Sequence, residues 1–236
     1  MFTRREINTI IVASLVLGFL FSFTQWGNNE FNFITGIKNF ITSSIISALF
    51  ISSKEYCRKK LAKKIGFELE LNLWTIDKEI KNLNIKKLPI GVIISLALIF
   101  MSNGALIFAA ITKFDFKNYS KNDLKRRYKY IRGIEEAIIS SVSAIVIVLL
   151  VLIFNSLNLE RFVFVGTIIA IFSVIPLPTQ DGVKMYFGSI WYYLLILLFT
   201  IFSLVFIQTF GSIVSLVLSI VFASIITLIA YYQLNK

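Results

Sequence analysis

The 236-residue chain contains no histidine, a single cysteine and only three prolines. The absence of histidine removes the side chain that most often ligates metals or acts as a general base near neutral pH. Because Cys57 is alone, no intrachain disulfide can form. Any metal site or acid–base chemistry would therefore have to use other side chains.

Acidic residues are also scarce, with 13 of them against 24 lysines and arginines, for a formal net charge of +11. Hydrophobic residues make up 57% of the chain, a composition typical of a membrane protein with several spans. The basic runs lie beside apolar segments, and no nucleic-acid-binding motif accompanies them. Membrane lipids are therefore the expected partners, and a nucleic-acid partner is not expected.

Several apolar segments are predicted to cross the membrane. They cover residues 7–23, 33–53, 137–157, 162–175, 190–208 and 212–232. Because Arg4 and Arg5 precede the first segment and Lys236 follows the last, both termini are predicted to be cytosolic. The predicted fold class is an α-helical multi-pass membrane protein of about five to six spans in one domain, residues 1–236, in the cell membrane.

Two further segments depart from simple spans. Residues 67–74 alternate apolar and polar side chains, which predicts a β-strand, and a strand needs a pairing partner. Residues 88–112 are apolar but are flanked on both sides by basic residues, at Lys86-Lys87 and in a predicted basic loop at 113–132. The second segment is therefore predicted to be re-entrant, with a reversal near Ser102-Asn-Gly.

Residues 175–184, Ile-Pro-Leu-Pro-Thr-Gln-Asp-Gly-Val-Lys, hold two of the three prolines and are called here the proline stretch. Proline cannot donate a backbone hydrogen bond, so a helix is predicted to break there, with a turn at Asp181-Gly182. An ionisable residue beside a broken apolar helix is a functional-site hypothesis. The alternative is a short loop with Asp181 at the lipid headgroups.

These features resemble site-2 proteases, the intramembrane zinc metallopeptidases, and in particular their archaeal branch. The proline stretch is similar to that family's Asn-x-x-Pro-x-x-x-Leu-Asp-Gly motif, in which the Asp is the third zinc ligand. Residues 52–66 resemble the family's His-Glu-x-x-His helix, which is followed by a basic run and a glycine. Asn103-Gly-Ala-Leu resembles a Pro-Gly-Ala-Val element, and residues 133–143 occupy the place of an Ala-Gly-Pro-x-x-Asn segment.

The chain departs from the family at the metal ligands. Lys54 and Arg58 stand where the two histidines would be, whereas Glu55, Asp181 and Gly182 match the family pattern. A catalytic zinc needs about three protein ligands, and two cationic side chains would repel the ion. The resemblance therefore implies a degenerate site with no catalytic residues, no zinc and no other cofactor.

The same four charged residues allow a different arrangement. We expect Lys54 and Arg58 to form a salt-bridge cluster with Glu55 and Asp181 that holds the second span to the proline stretch, since buried charges need partners. The alternative is that these side chains reach the inner headgroups separately.

The resemblance and these departures predict a catalytically inactive relative, a pseudoprotease, that binds or regulates membrane-protein clients. Transmembrane or extended client segments could bind by strand addition. The candidate client-binding residues are Phe67, Leu69, Leu71, Leu73, Asn103 and Gly104. Two alternatives stay open: an active intramembrane peptidase or other hydrolase with a non-zinc site, and a transporter or channel that uses Glu55, Asp181 and the chain reversal at Asn103.

Overall fold

The structure is a computed structural model that describes residues 2–27, 31–76, 88–117 and 131–234. Within these ranges the chain is mostly helical, with one small antiparallel sheet. The helices are α1 (Arg4–Ser22), α2 (Phe33–Ile65), α3 (Ile90–Met101), α4 (Gly133–Ser156), α5 (Glu160–Val174), α6 (Asp181–Gly188), α7 (Ile190–Phe206) and α8 (Ser212–Leu234). The strands are β1 (Leu69–Leu73) and β2 (Thr112–Phe116).

Four of the described helices, α1, α2, α4 and α8, are long and apolar enough to cross a membrane. Helices α5 and α7 contain 15 and 17 residues, which correspond to about 22 and 26 Å at the usual helical rise. These two lengths are at or below the thickness of a bilayer core, so the larger number of spans stays a prediction. The long apolar helices are the architecture of a helical membrane protein.

The distribution of polarity between surface and interior agrees with that architecture. Large apolar side chains cover the outside, including Ile34 and Ile213, which are 80% and 82% exposed. Small hydroxyl side chains lie between the helices instead, and Ser203 of α7 donates a hydrogen bond to Ser219 of α8 over 2.8 Å. Close helix packing through small polar residues is common among membrane helices.

Helix α2 continues without interruption through the basic stretch that follows its apolar part. Its first turn is capped by Asn32, whose side chain accepts a hydrogen bond from the backbone N–H of Thr35. It ends at Gly66, which has a φ of +102°. A left-handed residue after the last turn favours glycine, which explains why the basic helix ends at this residue.

The predicted strand exists as β1, and its partner is β2. The two strands pair antiparallel, with Leu69 opposite Phe116 and Leu71 opposite Phe114. Sequence analysis treated residues from 113 onward as a basic loop, and this interpretation was wrong for β2. The alternation of Thr-Lys-Phe-Asp-Phe in β2 fits a two-faced strand once β1 is present to pair with it. Residues 118–130 of the predicted loop lie outside the described residues.

Residues 88–112 fold into a hairpin made of α3 and an extended return. The chain turns back where the sequence predicts a reversal, with φ values of 50° at Asn103 and 88° at Gly104. The hydroxyl of Ser95 lies 2.8 Å from the carbonyl oxygen of Phe108, which ties the helix to the return. Both ends of the hairpin therefore lie beside the sheet. Its depth in a membrane stays a prediction, and Lys86-Lys87 lie outside the described residues.

The proline stretch breaks the helix as predicted, but the position of the turn was predicted incorrectly. Asp181 and Gly182 are the first residues of α6, and the left-handed residue is Thr179, with a φ of 63°. An aspartate in the first turn is favoured by the positive end of the helix dipole. Gly182 is required for another reason: a Cβ atom there would collide with the carbonyl oxygens at the end of α5.

Several elements meet at one end of the molecule, which we call the sheet end. Glu6 of α1 accepts a hydrogen bond from the backbone N–H of Leu71 in β1 over 3.0 Å. Lys184 of α6 donates to the carbonyl oxygen of Phe114 in β2 over 2.6 Å. An aromatic side chain at the start of α7 packs against an aromatic side chain in the last turns of α8. The start of α1 and the last turns of α8 therefore lie at the sheet end, and the side of the membrane that each terminus faces stays a prediction.

Candidate functional site

The charged cluster is centred on the guanidinium group of Arg58, which is 1% exposed. Its Nη1 donates to Oε1 of Glu55 over 2.8 Å, three residues earlier on α2. Its Nη2 forms an ion pair with Oδ2 of Asp181, which is 123 positions later in the chain. Arg58 thus bridges two buried carboxylates and joins α2 to the start of α6.

The local structure of each element brings these groups together. Glu55 and Arg58 are one helical turn apart on α2, so their side chains share a face. The break at the proline stretch ends α5 and lets α6 begin with Asp181 directed at α2. The hydroxyl of Ser143 on α4 donates to Asp181 over 2.6 Å. Side chains from two other helices, α2 and α4, therefore hold the Asp181 carboxylate.

Lys54 occupies a different position from the one predicted for it. It is 7% exposed, yet its ammonium group makes no ion pair within 4.0 Å with any residue that the structure describes. It lies near enough to Glu55 and Asp181 to be attracted by them. The direct partner of Asp181 is therefore Arg58, and Lys54 is a neighbouring buried cation.

Two residues that sequence analysis missed complete the cluster, namely Phe114 of β2 and Lys184 of α6. The guanidinium carbon of Arg58 lies 4.5 Å from the centroid of the Phe114 ring, and the ammonium nitrogen of Lys184 lies 3.4 Å from it. Burial lowers the pKa of the Lys184 ammonium, and the nearby Asp181 carboxylate partly offsets that effect. One aromatic ring thus stabilises two cations by cation–π interaction.

The donor set of the cluster favours an ion-pair network over a metal site. Among the described residues, no group of three or more histidine, cysteine, aspartate or glutamate side chains could hold a metal ion. The two available carboxylates already accept from a guanidinium, which competes with any dication. Hydrogen-bond donors are in excess, since the Nε of Arg58 and the amide nitrogen of Gln180 have no partner among the described residues.

The structure does not bring the predicted client-binding residues together. Leu69 and Leu71 are 8% and 1% exposed, because their side chains pack into the protein's own core. Leu73 is partly buried against that core, and Phe67 packs edge-on against a phenylalanine of β2. Asn103 and Gly104 form a second location, distant from these residues.

The distance between the two locations follows from α1. Glu6 at its start contacts β1, whereas a Cβ atom on Gly104 would meet Phe23, just beyond its last residue. Helix α1 has 19 residues and is therefore about 28 Å long. A single extended segment of a few residues could not contact both locations.

Both outer edges of the sheet carry a charged side chain from a neighbouring helix. The backbone N–H of Trp74 donates to Ile111, and that of Lys117 donates to Glu68. Because antiparallel pairs alternate, the even-numbered residues of β1 bond to β2 and the odd-numbered residues direct their backbone groups outward. The Glu6 carboxylate caps the N–H of Leu71 on one edge. On the other edge, the Lys184 ammonium caps a carbonyl oxygen. Strand addition at the centre of either edge would have to displace a charge.

The sequence contained patterns that could have identified some of the site residues that sequence analysis missed. Lys184 lies one helical turn after Asp181 within the proline stretch, and Phe114 lies in an alternating segment. Ser143 lies where the resembled family has an asparagine segment. The Thr3-x-x-Glu6 spacing signals only a capping box at the start of α1, which the structure shows. The contacts of Glu6 with residues 59 and 71 had no signal, since these residues lie far along the chain.

Comparison of the chain with protein-family models, curated proteins and solved structures finds no match. The resemblance to site-2 proteases therefore depends on the motifs and spacing of the chain itself.

Proposed function

We propose that the chain is a catalytically inactive relative of site-2 proteases that binds or regulates membrane-protein clients. The observation that carries this proposal is the convergence of Glu55, Arg58 and Asp181. In the resembled family the corresponding positions are the general base, a zinc ligand and the third zinc ligand. A chance likeness between two short motifs would not require them to meet in space.

The chemistry of the cluster supports the inactive state. A guanidinium between two carboxylates pairs with both and fixes their orientation, as a metal ion would, but it cannot lower the pKa of a bound water. Glu55 then has no activated water from which to remove a proton. In this proposal the cluster is a structural replacement for the catalytic metal.

Client binding would use the first part of the outer edge of β1. At Leu69 the backbone groups face outward, and no described side chain caps them, whereas Glu6 caps Leu71. An extended client segment could pair with this short edge, and main-chain hydrogen bonds would supply the affinity. The second predicted location, at Asn103, would need a separate contact.

A photo-crosslinking amino acid at Glu70, beside this edge, tests client binding. The matched control carries the same group at Ile213 on α8, which is 82% exposed and remote from the sheet. We expect defined membrane proteins to crosslink at Glu70, to remain intact and to be absent from the Ile213 control. Equal crosslinking at both positions would indicate random collision in the membrane and would contradict the proposal.

Activity assays on the purified protein separate the two alternatives. Cleavage of transmembrane substrates that is lost in Asp181→Asn would favour an active hydrolase with a non-zinc site. Ion or solute flux into liposomes that depends on Glu55 or Asp181 would favour a transporter or channel. The proposal predicts neither activity.

A further inference from the structure

A cavity of about 440 Å³ lies at the sheet end, outside the charged cluster. Its walls are the start of α1, the last turns of α2 and the outer edge of β1. Lys59, Lys60 and Lys63 line the wall formed by α2, and the aromatic side chains of Phe2 and Tyr56 form part of its apolar surface. The cavity therefore combines cationic and apolar groups with the carboxylates of Glu6, Glu68 and Glu70.

The lysines of the cavity are not equivalent. Lys59 forms an ion pair with the buried carboxylate of Glu6. Lys117, on the far wall, lies 3.6 Å from a carboxylate oxygen of Glu68. Lys60 and Lys63 are exposed and make no ion pair with any described residue. Two ammonium groups, three residues apart on one helical face, are therefore available to a ligand.

The same face of α2 continues away from the cavity as an exposed apolar stripe. Spacings of three, four and seven residues place these positions on one face of the helix. The apolar stripe consists of Ile41, Ile45, Leu49 and Tyr56, with Ser52 on the same face between the last two, and Lys60 and Lys63 continue this face into the cavity. Its first three side chains are 51%, 63% and 36% exposed, and Tyr56 is 58% exposed.

This order of side chains matches the order of chemical groups in a phospholipid. Acyl chains pack on apolar side chains, tyrosine is favoured at the glycerol and headgroup level, and lysine attracts the phosphate. An acidic peptide would satisfy the lysines but would leave the apolar stripe uncovered. Charge and apolar surface together therefore favour a lipid.

We infer that the cavity binds the phosphate group of one anionic phospholipid, between Lys60 and Lys63, with its acyl chains along the apolar stripe of α2. The lysines that would bind the phosphate lie outside the charged cluster, although the cavity shares the Leu69–Glu70 edge of β1 with the proposed client site. The bound lipid would fix the last turns of α2 relative to β1.

Native mass spectrometry of the protein in detergent micelles, with limiting amounts of phosphatidylglycerol or phosphatidylcholine, tests the inference. Each lysine near an anionic lipid changes affinity by about fivefold, so Lys60→Gln/Lys63→Gln is expected to weaken phosphatidylglycerol binding by about thirtyfold. The matched control is Arg5→Gln/Lys64→Gln, which removes the same charge from exposed residues outside the cavity. Its binding is expected to stay within about twofold of that of the unmodified protein.

The expected result is one phosphatidylglycerol per chain, weak retention of phosphatidylcholine and a selective loss in the cavity variant. Equal losses in both variants would show general attraction to a basic surface and overturn the inference. Absence of a retained lipid in the unmodified protein would also overturn it. Equally tight binding of glycerol phosphate, which has no acyl chains, would identify a soluble phosphate site instead. Circular dichroism of each variant verifies that helix content is unchanged.

Discussion

The Arg58 side chain alone provides the ion pairs, the hydrogen bonds and the aromatic contact at the centre of the cluster. Its guanidinium forms ion pairs with Glu55 and Asp181, donates hydrogen bonds to both and packs on an aromatic ring. Buried carboxylates tolerate removal from water only with such compensation. Replacement of Arg58 therefore affects two elements at once, whereas replacement of Lys54 removes a neighbouring charge without a direct ion pair.

The first prediction is a strong energetic coupling between Arg58 and Asp181. Removal of one partner leaves the other charge buried and unpaired, so Arg58→Met and Asp181→Asn are each expected to lower the free energy of unfolding by about 3–5 kcal/mol. The double variant should recover much of the loss. Unfolding in mixed detergent and dodecyl sulfate micelles measures these free energies.

Lys54→Met, combined with Asp181→Asn, is the matched control for this cycle. Because Lys54 makes no direct ion pair with Asp181, its coupling is expected to be smaller, at about 1 kcal/mol or less. Additive effects in the Arg58 cycle would mean that charge does not join α2 to α6.

Sequence reasoning identified four charged members of the cluster but not how they pair. From the sequence, Lys54 and Arg58 were equally suitable partners for Asp181, because helical periodicity places both on one face. Periodicity does not show which of the two side chains contacts the carboxylate. Phe114 and Lys184 were missed because their roles depend on contacts between elements that are distant in sequence. Only tertiary packing distinguishes the two cations.

Among the elements, the junction between α5 and α6 determines where Asp181 points. Two prolines end α5, a left-handed Thr179 redirects the chain and Gly182 lets α6 begin against the end of α5. The break was predictable, since proline cannot continue a helix. The close approach of Gly182 to the end of α5 was not predictable, since it depends on the angle between α5 and α6.

The second prediction concerns this close approach. In Gly182→Ala the added methyl group meets backbone carbonyl oxygens that cannot move independently, so the free energy of unfolding is expected to fall by about 1–3 kcal/mol. Gly211→Ala is the matched control, since a Cβ atom there has no neighbour within 4 Å, and it is expected to change stability by less than about 0.5 kcal/mol. Equal effects of the two substitutions would contradict the packing described for α6.

The third prediction concerns the hairpin of residues 88–112. Its two ends meet at the sheet, so Ile76 and Lys117, which flank it, should lie on one side of the membrane. Cysteine substitutions at these positions, in a Cys57→Ser background, are expected to react with an impermeant reagent from the cytosolic side only.

Asn158→Cys provides the opposite control for this labelling. Residue 158 lies at the turn between α4 and α5, at the end opposite the sheet, and is expected to react from the outside. Labelling of Ile76→Cys and Lys117→Cys from opposite sides would show a single crossing and would rule out the re-entrant interpretation.

At the scale of the whole molecule, composition predicted most of the fold class. Long apolar helices, basic helix ends and one strand were readable, because membrane spans and period-two alternation leave strong local signals. The number of spans and the partner of β1 were harder to predict from the sequence, since short helices and strand pairs depend on tertiary context. The cluster lies where the charged end of α2, the sheet and the proline stretch meet.

The zinc content of a variant with restored ligands tests the central claim most directly. Lys54→His/Arg58→His returns two histidines to one face of α2, near Asp181, and completes a three-ligand set. If the cluster replaces a former metal site, the double variant should bind about one zinc per chain, measured by mass spectrometry after dialysis, and adding Asp181→Asn should abolish this binding.

The unmodified protein, measured in the same way, is expected to carry less than about one zinc per ten chains, because cations occupy two ligand positions. Stoichiometric zinc in the unmodified protein would contradict the account. A folded Lys54→His/Arg58→His variant that binds no zinc would contradict it equally.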